Sequence, residues 1–199
     1  AVLFNRENNL GVELHVIGIR NWQRGDWFDS TGLGWINPSP NIRSLQAALL
    51  YPGVALLEAL PDYSVGRGTD APFEQIGAPW IQGAELAAYL NSRFIPGVRF
   101  YPTSFRPASS VCAGLRIEGV RFLLTDREAF RAQRLGLEIA AALIRLYPGR
   151  VALASCERLI GSASALKALQ AGDSAAQIEQ AEQDRVAAFL SVREKNLLY

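Results

Sequence analysis

Methionine is absent from this 199-residue sequence, histidine occurs once and cysteine twice. A single His leaves no multi-histidine metal cage. Two Cys without a CxxC spacing are too few for a disulfide scaffold. Charge of one sign is lacking too: 20 Lys and Arg stand against 19 Asp and Glu, a net charge of +1. That balance carries no electrostatic footprint for nucleic acid. No apolar run reaches the roughly 18 residues of a membrane span. Residues 1–30 lack the basic and apolar regions of a secretory signal. No GxSxG elbow and no GxxxxGK[ST] loop is present, and no metal or organic cofactor is implied.

What is present is core-forming material. Hydrophobic residues make up 49% of the chain, far from the composition of a disordered segment. The length fits one domain over residues 1–199 that buries about 70% of its unfolded surface. Ala1 to Leu10 reads as the tail of a helix, which sets the expectation of an N-terminal half before it. Val12 to Ile19 alternates apolar and polar residues, the pattern of a half-buried strand. His15 falls on its polar side beside Glu13, where a satisfied surface role is expected. Residues 20–42 form a long loop carrying Trp22, Trp27 and Trp35.

Ser44 is placed to cap a short helix with Leu45, Ala48 and Leu49 on one face, which Tyr51-Pro52-Gly53 should stop. Val54 to Leu57 reads as a buried strand and residues 58–81 as a second long loop. The pattern then predicts a helix over 82–91 and strands over 98–105 and 115–125. Thr125-x-x-Glu128 and Ser174-x-x-Gln177 are capping boxes. The first should open a helix with Leu135, Ile139, Ala142, Leu143 and Leu146 inward, ended by Tyr147-Pro148-Gly149. Short helices are expected over 155–160 and 162–171. The second box should open a helix with Ile178, Val186, Phe189 and Leu190 inward. Strands mixed with helices, then helices alone, indicate an α+β fold: a mixed sheet with long functional loops and a helical C-terminal part.

The two long loops hold the residues suited to chemistry. Pro38 and Pro40 stiffen a loop presenting Ser39 and Asn41, which is either a hydrogen-bonding surface or a turn entering a helix. Gly66-Arg67-Gly68-Thr69 sets a guanidinium, a planar fork that fits carboxylates, between two flexible positions. Asp26, Asp29, Glu58, Asp62, Asp70 and Glu74 are candidate acids or bases. Glycoside hydrolysis usually needs two carboxylates about 5 Å or about 6.5–9.5 Å apart, distances that spacing along the chain does not give. Trp27, Trp35 and Trp80 either stack on sugar rings or peg the core. Cys112 and Cys156 read as small buried residues.

Taken in order, Trp27-Phe28-Asp29-Ser30-Thr31-Gly32-Leu33, Pro38-Ser39-Pro40-Asn41, Tyr51-Pro52-Gly53, Gly66-Arg67-Gly68-Thr69, Pro72-Phe73-Glu74 and Gly77-Ala78-Pro79-Trp80 resemble the NamZ-type exo-β-N-acetylmuramidases. Val120 to Arg127, Leu146-Tyr147-Pro148-Gly149 and Leu197-Leu198-Tyr199 continue the resemblance over essentially the whole chain. It implies peptidoglycan turnover and cell-wall recycling outside the cytoplasm of bacteria. Terminal N-acetylmuramic acid is removed in a cleft between a Rossmann-like N-terminal domain and a C-terminal domain. The chain resembles the C-terminal domain, with the N-terminal domain expected in cis or in trans and carrying the catalytic glutamate. By this resemblance, Arg67 or Thr69 binds the lactyl carboxylate and Ser39 and Asn41 hold sugar polar groups. Trp27 or Trp80 offers a stacking face. Glu74 and Asp29 support these residues or belong to the catalytic set, for which Glu58 is a further candidate. Ala59-Leu60-Pro61-Asp62-Tyr63 departs from the family pattern, as do Glu182 and Asn196. The alternatives are a non-catalytic muropeptide-binding domain and an interaction domain.

Overall fold

The computed structural model describes residues 1–198; Tyr199, the end of the terminal motif, lies outside the described residues. The described residues divide into two compact units, one of residues 1–34 with 180–198 and one of residues 35–179.

The first unit holds helix α1 (Val2–Glu7) and a 3-10 turn, Phe28–Thr31. Residues 12–19 are not a strand. They pair with no ladder, and Val12, Leu14, Val16, Ile17 and Ile19 are all exposed, Ile17 to 95%. Alternation encodes a one-sided surface, but a strand also needs a neighbour for its backbone. At Val12 that neighbour is a side chain: the Asn5 amide donates to the Val12 carbonyl at 2.8 Å and accepts from its N–H at 3.0 Å. His15 is exposed and lies 3.0 Å from Glu13.

In the second unit, helix α2 (Leu45–Val54) begins at Ser44, whose hydroxyl accepts from the Ala47 N–H at 2.9 Å. Its buried side is Ala47, Leu50, Gly53 and Val54 rather than the Leu45 side. Pro52 does not stop it; the helix continues into a 3-10 turn, Ala55–Leu57, where a strand was expected. Burial of Leu50, Val54 and Leu57 holds the chain helical there. A proline in a helix removes one hydrogen bond, and packing offsets that loss.

The sheet has the order β1-β3-β2, with β1 at Gln75–Ala78, β2 at Val98–Phe105 and β3 at Ile117–Leu124. Both pairings are antiparallel, so the sheet is not mixed. The 106–116 loop joins β2 to β3 directly, without the crossover a parallel pair requires. Val98 and Phe100 face inward while Arg99 and Tyr101 face out. Phe100 is directly opposite Phe122, their rings edge to face at 5.8 Å. Pro102, without an N–H, sits in edge strand β2.

Helix α3 (Gly83–Ser92) packs on β2 and β3, and its Asn91 exchanges two hydrogen bonds with the Phe100 backbone. Helix α4 (Ala132–Leu146) packs on α2 and α3. The Thr125 box does not form. Asp126 instead accepts from the Glu128 and Ala129 N–H groups, and α4 starts only at Ala132. Within α4, Glu138 is 2% exposed and held by Arg93 at 2.9 Å and Arg134 at 2.9 Å.

Helices α5 (Glu157–Ile160), α6 (Ala163–Ala171) and α7 (Ala175–Glu194) complete the helical C-terminal part. The Ser174 box forms: the Gln177 side chain accepts from the Ser174 N–H at 2.9 Å, and Ser174 accepts from the Gln177 N–H at 3.3 Å. Ile178 is buried, but Val186, Phe189 and Leu190, expected inward, are exposed. No helix of the described residues is long and apolar enough to cross a membrane.

Cys156 is buried and Cys112 half-buried, and both are free thiols whose pKa burial pushes up. Tyr63 is buried with its hydroxyl unpaired among the described residues, and desolvation holds its pKa well above the usual tyrosine value. An orphaned buried hydroxyl costs about 1–3 kcal/mol. Tyr63→Phe is therefore expected to raise the unfolding free energy by about 1 kcal/mol, read by urea denaturation at pH 7. Above pH 10.0 the unfolded chain ionises Tyr63 and the folded chain resists. Stability therefore falls there as pH rises, and the variant falls less.

Candidate functional site

The Gly66-Arg67-Gly68-Thr69 loop is built by its glycines. Gly66 and Gly68 have φ of 81° and 77°, the left-handed region that favours glycine. A Cβ on Gly68 would also stand 2.3 Å from the Ser109 carbonyl oxygen. The Ala108 N–H donates to the Gly68 carbonyl at 2.8 Å, which ties the loop to the 107–114 segment.

Thr69 holds this loop together from inside. Its hydroxyl donates to the Gly66 carbonyl at 2.6 Å and accepts from the Ala71 N–H at 3.1 Å and the Gln75 amide at 3.0 Å. One donor and both acceptor positions are thereby used, so Thr69 shapes the loop.

Arg67 is differently placed. Its Nε donates to Glu58 Oε1, and its guanidinium lies 5.0 Å from the Phe73 ring centroid. The Arg67 side chain stays 34% exposed and that of Glu58 28%. The two terminal nitrogens make no protein hydrogen bond among the described residues. Phe73 itself is buried with φ of 64°. A non-glycine residue in that region is strained by about 1–3 kcal/mol, and such strain clusters at functional sites. The Tyr51 and Phe73 rings stand nearly perpendicular, their centroids 4.9 Å apart.

Glu74 is a latch between loop and helix. Its Oε1 accepts from the Ser44 hydroxyl at 2.6 Å and its Oε2 from the Gln46 amide at 2.8 Å, with Arg121 at 4.0 Å. Arg43 makes a second link, donating to the Pro40 carbonyl at 2.8 Å and the Thr69 carbonyl at 3.4 Å. The half-buried Ser39 and Asn41 are thus tied to the glycine loop through Arg43. Ser39 Oγ also accepts from the Asn41 N–H at 3.3 Å.

Trp80, half-buried, stacks on Tyr63 at 6.5 Å, meets Tyr147 edge-on at 5.4 Å and packs against the core. Trp27 and Asp29 stand in the first unit, Trp27 at the cap of the 3-10 turn and Asp29 exposed in its first turn.

Residues 49–199, which include Glu58, Arg67 and Glu74, match the family described as exo-β-N-acetylmuramidase NamZ, C-terminal. The chain belongs to the NamZ family. Residues 1–46 match the description exo-β-N-acetylmuramidase NamZ, N-terminal. The chain is 35% identical to the peptidoglycan β-N-acetylmuramidase NamZ of Bacillus subtilis, over all of this chain and 49% of that protein. A DUF1343 family protein of Bacteroides fragilis, known from a crystal structure, superposes with a TM-score of 0.83 at 26% identity. The match covers 99% of this chain and 54% of that one. A second DUF1343 protein of the same organism gives a TM-score of 0.57 at 26% identity, over 82% of this chain and 43% of that one. The chain thus spans about half the length of these relatives.

Four site residues escaped the sequence reading: Arg43 and Gln46, in the stretch matching NamZ, N-terminal, and Gln75 and Arg121, in the stretch matching NamZ, C-terminal. Gln46 and Ser44 meet Glu74 across 28 and 30 residues of chain. A local motif carries no signal for such a contact. The one available hint was Ser44, whose capping position was readable.

Proposed function

We propose that this chain is the substrate-binding C-terminal half of an exo-β-N-acetylmuramidase, which removes terminal N-acetylmuramic acid from peptidoglycan fragments. The observation that carries the reading is Arg67, with Nε on Glu58, its guanidinium carbon over the Phe73 ring and its terminal nitrogens free of hydrogen bonds among the described residues. N-acetylmuramic acid differs from N-acetylglucosamine by a lactyl ether ending in a carboxylate. A free planar fork is the group that recognises a carboxylate through two charge-assisted hydrogen bonds. Ser39 and Asn41 supply polar groups for sugar hydroxyls or the acetamido group.

Glu58 and Glu74 both accept from neighbouring side chains. This supports placing the catalytic carboxylate in a Rossmann-like N-terminal domain, supplied in cis or in trans. The exposed apolar side chains of Val12, Leu14, Val16, Ile17 and Ile19 offer that domain a surface to cover.

The test is hydrolysis of para-nitrophenyl N-acetylmuramide by this chain, with and without the N-terminal half of a NamZ relative, alongside calorimetric titration of N-acetylmuramic acid. Binding by the chain and turnover only on addition of the other half are expected. Turnover by the chain alone would return the catalytic role to Glu74, Asp29 or Glu58. Binding with no turnover in either case would favour a muropeptide-binding domain, and no binding would remove the sugar reading.

A further inference from the structure

We propose that Glu58 is a positioning residue for Arg67 and so sets the preference for a carboxylate-bearing sugar over its neutral counterpart. This rests on the reading of Arg67 as the carboxylate ligand. An arginine on a loop has several rotatable bonds, and a bound carboxylate would have to freeze them. Here two contacts fix the guanidinium beforehand. The Glu58 oxygen accepts from Nε, and the guanidinium carbon lies over the Phe73 ring, 5.0 Å from its centroid. Together they hold the group in place while Nη1 and Nη2 keep no hydrogen bond among the described residues.

Glu58 is suited to hold this position. It caps the 3-10 turn that continues α2, and its N–H donates to the Ala55 carbonyl at 3.1 Å. The anchor therefore stands on a packed helix while Arg67 stands on a loop nine residues later.

Glu58 acts on a bound carboxylate in two opposed ways. Its hydrogen bond orients the fork, and its negative charge repels the ligand. Glutamine keeps an acceptor oxygen and removes the charge, whereas alanine removes both. With N-acetylmuramic acid and N-acetylglucosamine as calorimetric probes on the full chain, Glu58→Ala is expected to weaken the acidic sugar about tenfold and the neutral one less than about twofold. Glu58→Gln is expected to stay within about threefold of the parent for both. Equal losses for both sugars in Glu58→Ala, or no loss, would overturn the proposal.

If the parent chain binds neither sugar, the reading of Arg67 falls, yet the positioning is still decided by NMR. The Arg67 Hε should exchange slowly in the parent and in Glu58→Gln and fast in Glu58→Ala. Equal rates in all three would show that Glu58 does not hold the fork.

Discussion

Arg67→Ala is expected to weaken N-acetylmuramic acid about a hundredfold and to leave N-acetylglucosamine nearly unchanged. The magnitude follows from the fork. Hydrogen bonds to charged groups contribute about 1.5–3 kcal/mol each, and the open edge of Arg67 offers two. Partial exposure of the side chain, at 34%, lowers this through competition with water. About 2.7 kcal/mol, or a hundredfold, remains. Arg67→Lys keeps the charge without the planar fork and should lose about tenfold. Calorimetric titration of both sugars on parent and variants decides it. Unchanged affinity for the acidic sugar in Arg67→Ala would remove the carboxylate role. The fold should survive the change. Glu58 loses its partner but is 28% exposed, so water can solvate it and the destabilisation should stay below about 1 kcal/mol.

The parts of the fold legible in the sequence are those whose signal is local. Strand β2 and helix α3 fall where period and length place them. The Ser174 box closes because both members sit within one turn of the helix they open. The Thr125 box has the same residue spacing, yet Asp126 takes the free N–H groups first. Val54 to Leu57 is apolar enough for a strand, but a four-residue apolar run has no period of its own, and α2 carries it on as a helical turn. Val12, Leu14, Val16, Ile17 and Ile19, and Val186, Phe189 and Leu190, are apolar positions left exposed. A pattern states that a face is to be covered and not by what. In the site, the glycines and Arg67 announce themselves. The contacts that give them roles, Glu58 to Arg67 and Ser44 and Gln46 to Glu74, join loops distant in sequence and became visible only in the fold.

Gly119→Ala should cost about 3 kcal/mol or more of stability, at the upper end of overpacking effects. Gly119 is buried in β3 opposite Gly77 of β1. A Cβ there would stand 1.8 Å from the Ile76 carbonyl oxygen and 2.6 Å from the Gly77 Cα. Backbone on a paired strand cannot swing aside as the end of a flexible side chain can. The short strand β1 must therefore shift away from β3. Gly18 is the matched control, with nothing within 4 Å of an added Cβ, and Gly18→Ala should stay within about 0.5 kcal/mol. Urea denaturation of both variants reads the difference. The consequence reaches the site, because β1 carries the glycine loop. Gly77 exchanges two backbone hydrogen bonds with Ser64, and the Glu74 carbonyl accepts from the Phe122 N–H at 2.9 Å. Moving β1 drags both ends of the 64–74 segment, and Arg67 with it. Even where Gly119→Ala still folds, it should lose sugar affinity together with stability, whereas Tyr63→Phe, which leaves the backbone in place, should retain it. A Gly119→Ala chain with parental stability would show that the β1–β3 contact is looser than its geometry indicates.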